Sequence, residues 1–93
     1  MGFSQDSAVA AARRDLASRL GVDESTIDEV SVVKTDFPDM SLGAPVDGEM
    51  SAQMIATGWR IDLAADGQNY EYRADKYQLR LRNFKGRNYV INS

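Results

Sequence analysis

The side chains that could do chemistry in this 93-residue chain are oxygen and nitrogen groups only, because it contains no histidine and no cysteine. Without histidine the chain lacks the usual proton shuttle at neutral pH and the imidazole ligands of zinc and copper sites. Without cysteine it lacks disulfides, iron-sulfur clusters and thiol nucleophiles. The sequence therefore predicts a protein that is not an enzyme and that carries no cofactor.

Four carboxylates lie close together along the chain, at Asp36, Asp39, Asp47 and Glu49. Oxygen ligands suit calcium, but the spacing lacks the alternating acidic residues and glycine of a calcium-binding loop. Exposed carboxylates are the ordinary state of such residues in folded proteins. We interpret the four acids as solvated loop charges and expect no metal site.

The charge of the chain is unevenly distributed. The net charge is −3, from 11 basic and 14 acidic residues, which disfavours general affinity for nucleic acid. The C-terminal part is nevertheless basic, and a secondary basic patch is predicted at Arg80, Arg82, Lys85 and Arg87. This patch is an alternative site for a single-stranded nucleic acid or another anionic surface. We favour a solvated sheet face, and nucleic acid is not the expected partner.

Near the start of the chain, apolar and small residues recur every three or four positions, which predicts one amphipathic helix over about residues 7–20. Asp6 or Ser7 is expected to cap its first amides, and Gly21 follows at the position where a left-handed residue ends a helix. The residues that recur at three- and four-residue spacing are Ala8, Val9, Ala12, Leu16 and Leu20.

Alternating apolar and polar residues predict strands over about residues 27–35, 57–64, 68–74 and 77–84. A short edge strand over residues 88–92 is a fifth candidate. Asp66-Gly67 separates two of these strands and is typical of a tight hairpin turn. No run of 18 apolar residues is present, so no membrane span is expected.

One helix followed by an antiparallel meander predicts an α+β fold, in which the N-terminal helix packs on a sheet of four or five strands as a two-layer sandwich. We expect a single domain over residues 1–93, and a monomer. The predicted core consists of Val9, Leu16, Leu20, Val30, Val32, Trp59, Ile61, Leu63, Tyr70, Tyr72, Leu79 and Leu81.

A long segment without clear periodicity, residues 37–54, separates the first two predicted strands. Most connections in compact domains have about 4 to 6 residues, and long irregular ones are often functional. The segment contains both prolines of the chain and three of its four methionines. Proline lowers the entropy cost of ordering, which favours a shaped loop over a flexible one. A purely structural loop packed on the rim of the sheet is the competing interpretation.

The loop carries the candidate binding residues. We predict contacts with a partner through Phe37, Asp39, Met40, Ser41, Leu42, Gly43 and Pro45. In this hypothesis Met40 and Leu42 supply the apolar contacts, and the prolines hold the intervening residues in one shape.

The loop also carries a resemblance to known proteins. The run Phe37-Pro38-Asp39-Met40-Ser41-Leu42-Gly43-Ala44-Pro45 resembles the Trp-Pro-Asp-Gly-Ser-Leu-Gly-Cys-Pro pattern of a family of small uncharacterised bacterial domains, found in exported proteins and lipoproteins. The resemblance covers roughly residues 8–81. Phe37 stands at the family's tryptophan and Ala44 at its cysteine. The resemblance implies an extracytoplasmic location, in the periplasm or cell envelope, although the start of this sequence has no signal-peptide pattern.

A more distant similarity is to PepSY-like domains, which place a helix before an antiparallel sheet that contains a Tyr-x-Tyr strand such as Tyr70-Glu71-Tyr72. That similarity implies a domain that restrains a peptidase. The resulting hypothesis is a non-catalytic protein- or peptide-binding module, and the resemblance implies that this module is inhibitor-like. The alternative is a structural accessory domain of an envelope protein, which would use its sheet edge for strand addition.

Overall fold

The computed structural model describes residues 2–91 and contains one α-helix, one short 3-10 helix and five strands. The predicted α+β class, with a helix packed on an antiparallel sheet, is confirmed. In chain order the elements are α1 (Gln5–Leu20), a 3-10 turn (Glu24–Thr26), β1 (Asp28–Phe37), β2 (Ala56–Ala65), β3 (Gln68–Ala74), β4 (Leu79–Phe84) and β5 (Arg87–Ile91).

The helix α1 begins earlier than predicted, because Ser4 and not Asp6 or Ser7 is its N-cap. The Ser4 side chain accepts a hydrogen bond from the Ser7 amide, and the Ser7 hydroxyl accepts one from the Ser4 amide. This reciprocal capping box satisfies amides that the first turn leaves without partners. The helix ends at Leu20, and Gly21 caps it in the expected left-handed conformation.

The five strands form one antiparallel meander in the order β1-β2-β3-β4-β5, so β1 and β5 are the two edges. Asp66 and Gly67 connect β2 to β3 with φ angles of 52° and 76°, which is the conformation that the sequence predicted for a tight hairpin. The predicted fifth strand is present over Arg87–Ile91, and residue 92 of the prediction lies outside the described residues.

The first face of the sheet packs against α1 and forms the main core. Ile61, Tyr72 and Leu81 are neighbours across β2, β3 and β4, and all three are buried. Small residues on the facing side of the helix, Ala8 and Ala12, allow the helix backbone to approach the sheet closely. The sequence pattern predicted this face because strand residues on one side of a sheet recur at every second position.

A small network of polar side chains connects β3 to the helix α1. The Tyr72 hydroxyl donates a hydrogen bond of 2.7 Å to Asp15, and the Arg19 side chain donates another of 2.7 Å to the same carboxylate. Burial and the neighbouring carboxylate raise the pKa of Tyr72 above its ordinary value of 10.0. The hydroxyl therefore stays protonated and acts as a donor that ties β3 to the helix.

Two parts of the strand prediction are corrected. Val30 was expected in the core, but it is exposed because the pairing of β1 with β2 shifts between Glu29 and Ser31 and leaves Val30 at a bulge. The fourth strand begins at Leu79 and not at residue 77, because the Asp75 carboxylate accepts hydrogen bonds from the amides of Tyr77 and Gln78 and holds them in a turn.

The second face of the sheet is partly covered by the long connection between β1 and β2, which runs over residues 38–55. We call this connection the flap. Its buried Leu42 packs with Phe37 and Ala56 in a second, smaller core on the side of the sheet away from α1. The flap thus adds a third layer to the predicted sandwich. Over residues 2–91, no helix is both long and apolar enough to cross a membrane.

Candidate functional site

The flap begins with a tight turn that the Asp39 side chain organises. The Asp39 carboxylate accepts hydrogen bonds from the Ser41 hydroxyl, from the Ser41 amide at 2.9 Å and from the Gly43 amide at 3.4 Å. These bonds, led by the one from the Ser41 hydroxyl, lower the pKa of Asp39 below its ordinary value. Asp39 therefore works as a charged acceptor within the turn, where its Oδ1 atom accepts all three bonds.

The turn places two consecutive residues, Leu42 and Gly43, in the left-handed region, with φ angles of 60° and 66°. A left-handed conformation is costly for a residue with a β-carbon, so Leu42 holds it because burial of its side chain compensates. Glycine suits position 43 for two reasons. It adopts the left-handed conformation without a steric penalty, and a β-carbon at this position would lie 2.5 Å from the guanidinium of Arg73.

The sheet holds the flap through hydrogen bonds to its backbone oxygens. Gln78 donates to the carbonyl of Met40 at 2.6 Å, and Arg73 donates to the carbonyl of Leu42 at 2.8 Å. Arg80 donates to the carbonyl of residue 44 at 3.1 Å, and Asn88 donates to the carbonyl of residue 45 at 2.8 Å. Side chains from β3 to β5 and from the turn before β4 therefore contact four carbonyls in a stretch of six residues.

Arg80 is the central anchor of the flap. Its side chain is only 5% exposed and forms a bidentate ion pair with Glu49, with nitrogen–oxygen distances of 2.7 and 2.6 Å. Its third nitrogen donates to the Gln78 side chain at 2.7 Å. The hydrogen bonds from Arg80 hold the pKa of Glu49 below its ordinary value of 4.5. The same Arg80 nitrogen contacts Glu49 and the carbonyl of residue 44, so the pair holds these two parts of the flap together.

The returning limb of the flap, residues 50–55, lies outside these anchors. The Met40 amide donates a hydrogen bond of 3.0 Å to the carbonyl of residue 52, which fixes this limb beside the first part of the flap, residues 38–45. Its large apolar side chains nevertheless face solvent: Met50 is 98% exposed, Ile55 is 74% exposed and Met54 is 64% exposed. We call Met50, Met54 and Ile55 the apolar surface of the flap.

The structure divides the predicted contact residues into two groups. Phe37, Ser41 and Leu42 are buried, so they hold the flap on the sheet and do not present side chains to a partner. The expectation that Leu42 supplies an apolar contact is therefore corrected. Asp39, Met40 and Gly43 are half-buried and Pro45 is exposed. Met50 and Met54 lie in the predicted loop and Ile55 directly follows it, but nothing in the spacing showed that these side chains are exposed and that Leu42 is buried.

The predicted basic patch is not one open surface. Arg80 is buried under the flap, whereas Arg82 is exposed and lies 3.8 Å from Glu71. The Lys85 ammonium lies 5.4 Å from the centre of the Phe84 ring. Arg80 and Arg82 do alternate onto the same face of β4, as predicted. They differ in exposure because the flap covers that face at Arg80 only.

An open polar groove of about 420 Å³ lies between residues 45–47 of the flap and residues 86–89, which comprise Gly86 and the first part of β5. Asp47 and Arg87 line it, together with the Asn88 side chain that holds the flap. The acidic residues of the flap do not converge on one point. In residues 2–91, no group of three or more acidic side chains is placed to hold a metal ion.

The contacts of Asp39 and Glu49 predict that the stability of the domain depends on pH in the acid range. Because the pKa values of Asp39 and Glu49 are lowered in the folded chain, their contribution to stability is complete above their ordinary values and is lost as the pH falls through the folded values. We expect the free energy of unfolding, measured by urea denaturation, to decrease as the pH is lowered below 4.5, the ordinary value for Glu49. Glu49→Gln removes one titrating group, so its stability should be lower at neutral pH and should fall less steeply in acid. Parallel curves for the two proteins would contradict this role of Glu49.

Comparison with known proteins identifies a family but no characterised relative. No curated protein and no solved structure matches the chain. A family model described as Domain of unknown function (DUF8738) matches residues 9–82. The matched stretch extends from α1 through the flap to Arg82 near the end of β4, so it contains the flap and the anchors Arg73, Gln78 and Arg80. The chain belongs to the DUF8738 family of domains.

Proposed function

We propose that this domain is a non-catalytic protein- or peptide-binding module and that it contacts its partner through the apolar surface of the flap. The observation that carries the proposal is the exposure of Met50, Met54 and Ile55 within six residues of chain. Large apolar side chains that are exposed together are typical of protein interaction sites. Methionine suits such a surface because its flexible, polarisable side chain adapts to different partners.

The anchoring of the flap supports the proposal energetically. A flexible loop loses conformational entropy when it binds, and this loss reduces affinity. Here the hydrogen bonds from Gln78, Arg73 and Arg80 order residues 40–44 before any partner arrives, and the bond from the Met40 amide to the carbonyl of residue 52 ties the returning limb to them. The cost of ordering is thus met during folding, and more of the interaction energy of Met50 and Ile55 is left for binding.

The resemblance of the loop to bacterial exported domains supports a place for this module in the periplasm or cell envelope. The similarity to PepSY-like domains supports a peptidase as the partner, which the module would restrain. Both are parts of the proposal and rest on the loop motif and the Tyr70-Glu71-Tyr72 strand. The alternative of a nucleic-acid surface gains no support from the geometry, because Arg80 contacts Glu49 and not solvent.

The proposal is tested with the full chain and a variant that carries Met50→Gln, Met54→Gln and Ile55→Thr. Both proteins are used to capture partners from an envelope extract, and the affinity of the recovered protein is then measured by calorimetry. We expect the triple variant to bind at least about tenfold more weakly, because apolar contacts at the centre of an interface dominate its affinity. Its thermal midpoint should stay close to that of the parent, since the changed side chains are exposed.

The matched control is Val90→Thr, which changes an exposed apolar residue on β5, outside the flap. This control should bind like the parent. Equal binding by the parent and the triple variant would refute the proposed contact surface. Replacement of residues 39–45 is a poorer test, since it would also remove the buried Leu42 and the carbonyl contacts.

A further inference from the structure

We infer that Met50 and Met54 form a modification site, at which a hydroperoxide oxidises the thioether sulfur and so changes the apolar surface of the flap into a polar one. The inference deepens the proposed function and rests on it for its consequence, because it names how that same contact surface is regulated. It adds a reaction of these two side chains that partner binding alone does not require.

The first observation is the unequal exposure of the methionines. Met50 is 98% exposed and Met54 is 64% exposed, whereas Met40 is half-buried and packs against the second, smaller core. Met1, the fourth methionine of the chain, lies outside the described residues. Oxidation requires contact between the sulfur atom and an oxidant in solution, so its rate follows exposure. Met50 and Met54 are therefore the reactive methionines of the flap.

The second observation is the kind of sulfur that the chain contains. Peroxides react with cysteine thiolates as well as with methionine, but this chain has no cysteine. Three of its four sulfur atoms belong to methionines of the flap. A peroxide that reacts with sulfur in this protein therefore finds its most accessible target on the proposed contact surface.

The reaction transfers one oxygen atom to sulfur. A lone pair of the thioether sulfur attacks one oxygen of hydrogen peroxide, so that a sulfur–oxygen bond forms and the oxygen–oxygen bond breaks. The hydroxide that leaves takes the proton of the transferred hydroxyl group and becomes water. Sulfur is oxidised by two electrons and the peroxide is reduced by two. The product is a methionine sulfoxide, which is polar and which methionine sulfoxide reductases return to the thioether.

The third observation is that the flap is held on the sheet at other atoms. The sheet binds four backbone carbonyls within residues 40–45, and Arg80 binds the side chain of Glu49. A sulfoxide at Met50 or Met54 faces solvent and leaves these bonds in place. A sulfoxide at Met40 would instead put a polar group against the second core. The positions of the methionines thus allow the contact surface to change polarity while the domain stays folded.

The change would affect most of the contact surface. Met50 and Met54 are two of the three side chains that form the apolar surface of the flap, and only Ile55 keeps its apolar character after oxidation. Apolar contacts at the centre of an interface dominate its affinity, so a partner that is bound there would be released. Reduction of the sulfoxides would restore binding.

The site of oxidation is tested on the full chain. The protein is treated with hydrogen peroxide at neutral pH, and quenched samples are digested with a protease that cleaves after glutamate. Cleavage after Glu49 separates Met40 from Met50 and Met54, and fragmentation in the mass spectrometer assigns each added oxygen. We expect Met50 and Met54 to be oxidised at least about threefold faster than Met40, with little change in the thermal midpoint. Equal rates at the three residues would overturn the inference.

The change in surface polarity is tested by retention on a phenyl resin, which binds exposed apolar groups. The control variant carries Met50→Leu and Met54→Leu, which keep apolar side chains at both positions but cannot form sulfoxides. Each protein is compared with its own untreated sample. We expect peroxide to shorten the retention of the parent and to leave that of the double variant unchanged. An equal shift in both proteins would overturn the inference, because the oxidised group would then lie elsewhere.

Binding measurements separate this inference from the proposed function. The protein recovered from the envelope extract should bind peroxide-treated parent at least about tenfold more weakly than untreated parent, and peroxide should not change its affinity for the double variant. Equal affinity for treated and untreated parent would overturn the regulatory role. Normal capture by the triple variant of the flap would refute the proposed function, whereas fast oxidation of Met50 and Met54 with shortened retention would still establish the modification site. Slow oxidation together with weak capture by the triple variant would refute the modification site alone.

Discussion

Replacement of Arg80 by methionine is expected to lower the free energy of unfolding by about 2 to 4 kcal/mol. This is somewhat less than the usual cost of removing one partner of a fully buried ion pair, because the Glu49 side chain is 22% exposed. Methionine fills part of the volume of the arginine side chain but donates no hydrogen bond. Glu49 would lose its bidentate partner and the carbonyl of residue 44 would lose its donor. Urea denaturation, with the slope compared between variant and parent, measures the effect.

Arg82 provides the control for this prediction. It lies on the same face of β4 two residues later, but it is exposed and 3.8 Å from Glu71. Arg82→Met should therefore change stability by less than about 1 kcal/mol, as exposed ion pairs usually contribute little. If Arg80→Met were as mild as Arg82→Met, the ion pair with Glu49 would not be the anchor of the flap.

Replacement of Leu42 by alanine is expected to destabilise the fold by about 3 kcal/mol, because a buried leucine side chain is lost and a cavity is left. The lost methyl groups pack with Phe37 and Ala56, and the left-handed backbone at Leu42 would then lack the burial that compensates its cost. For a domain of this size, the thermal midpoint should fall by more than about 10 °C, measured by circular dichroism.

Met50→Ala is the control for Leu42, because it shortens another large side chain of the same flap. Met50 is almost fully exposed, so its replacement should change stability by less than about 0.5 kcal/mol. A Leu42→Ala protein as stable as the parent would show that the flap does not belong to the folded core. Loss of partner binding by Met50→Ala without loss of stability would agree with the proposed contact surface.

The local elements of the fold could be predicted from the sequence because local patterns determine them. The alanine and leucine spacing identified α1, and the Asp66-Gly67 turn together with alternating side chains identified β2 and β3. The differences at Ser4 and Leu79 are shifts of element boundaries caused by side-chain capping. Val30 was misplaced because a bulge depends on how two distant strands pair, and a single strand pattern contains no such information.

The position of the long connection in the chain could be predicted from the sequence, but the orientation of its side chains could not. The prolines and methionines marked the loop, yet the same sequence was compatible with Leu42 facing solvent or facing the sheet. The structure places it inward because Arg73, Gln78 and Arg80 bind carbonyls more than 30 residues away along the chain. The alternation of residues on β4 predicted that Arg80 lies on the solvent-exposed face. Arg80 would be exposed there if no other segment packed on that face of the sheet. Burial of Arg80 requires the flap, which no local pattern reveals.

Four of the side-chain hydrogen bonds that hold the flap on the sheet are accepted by backbone oxygens. Gln78, Arg73, Arg80 and Asn88 bind carbonyl groups, which every amino acid possesses. Exposed positions such as Met50, Gln53 and Met54 take no part in these bonds, so we expect their side chains to be replaceable without loss of the anchors. If the proposed contact surface is right, a library confined to these positions is expected to alter specificity while the backbone of the flap stays constant.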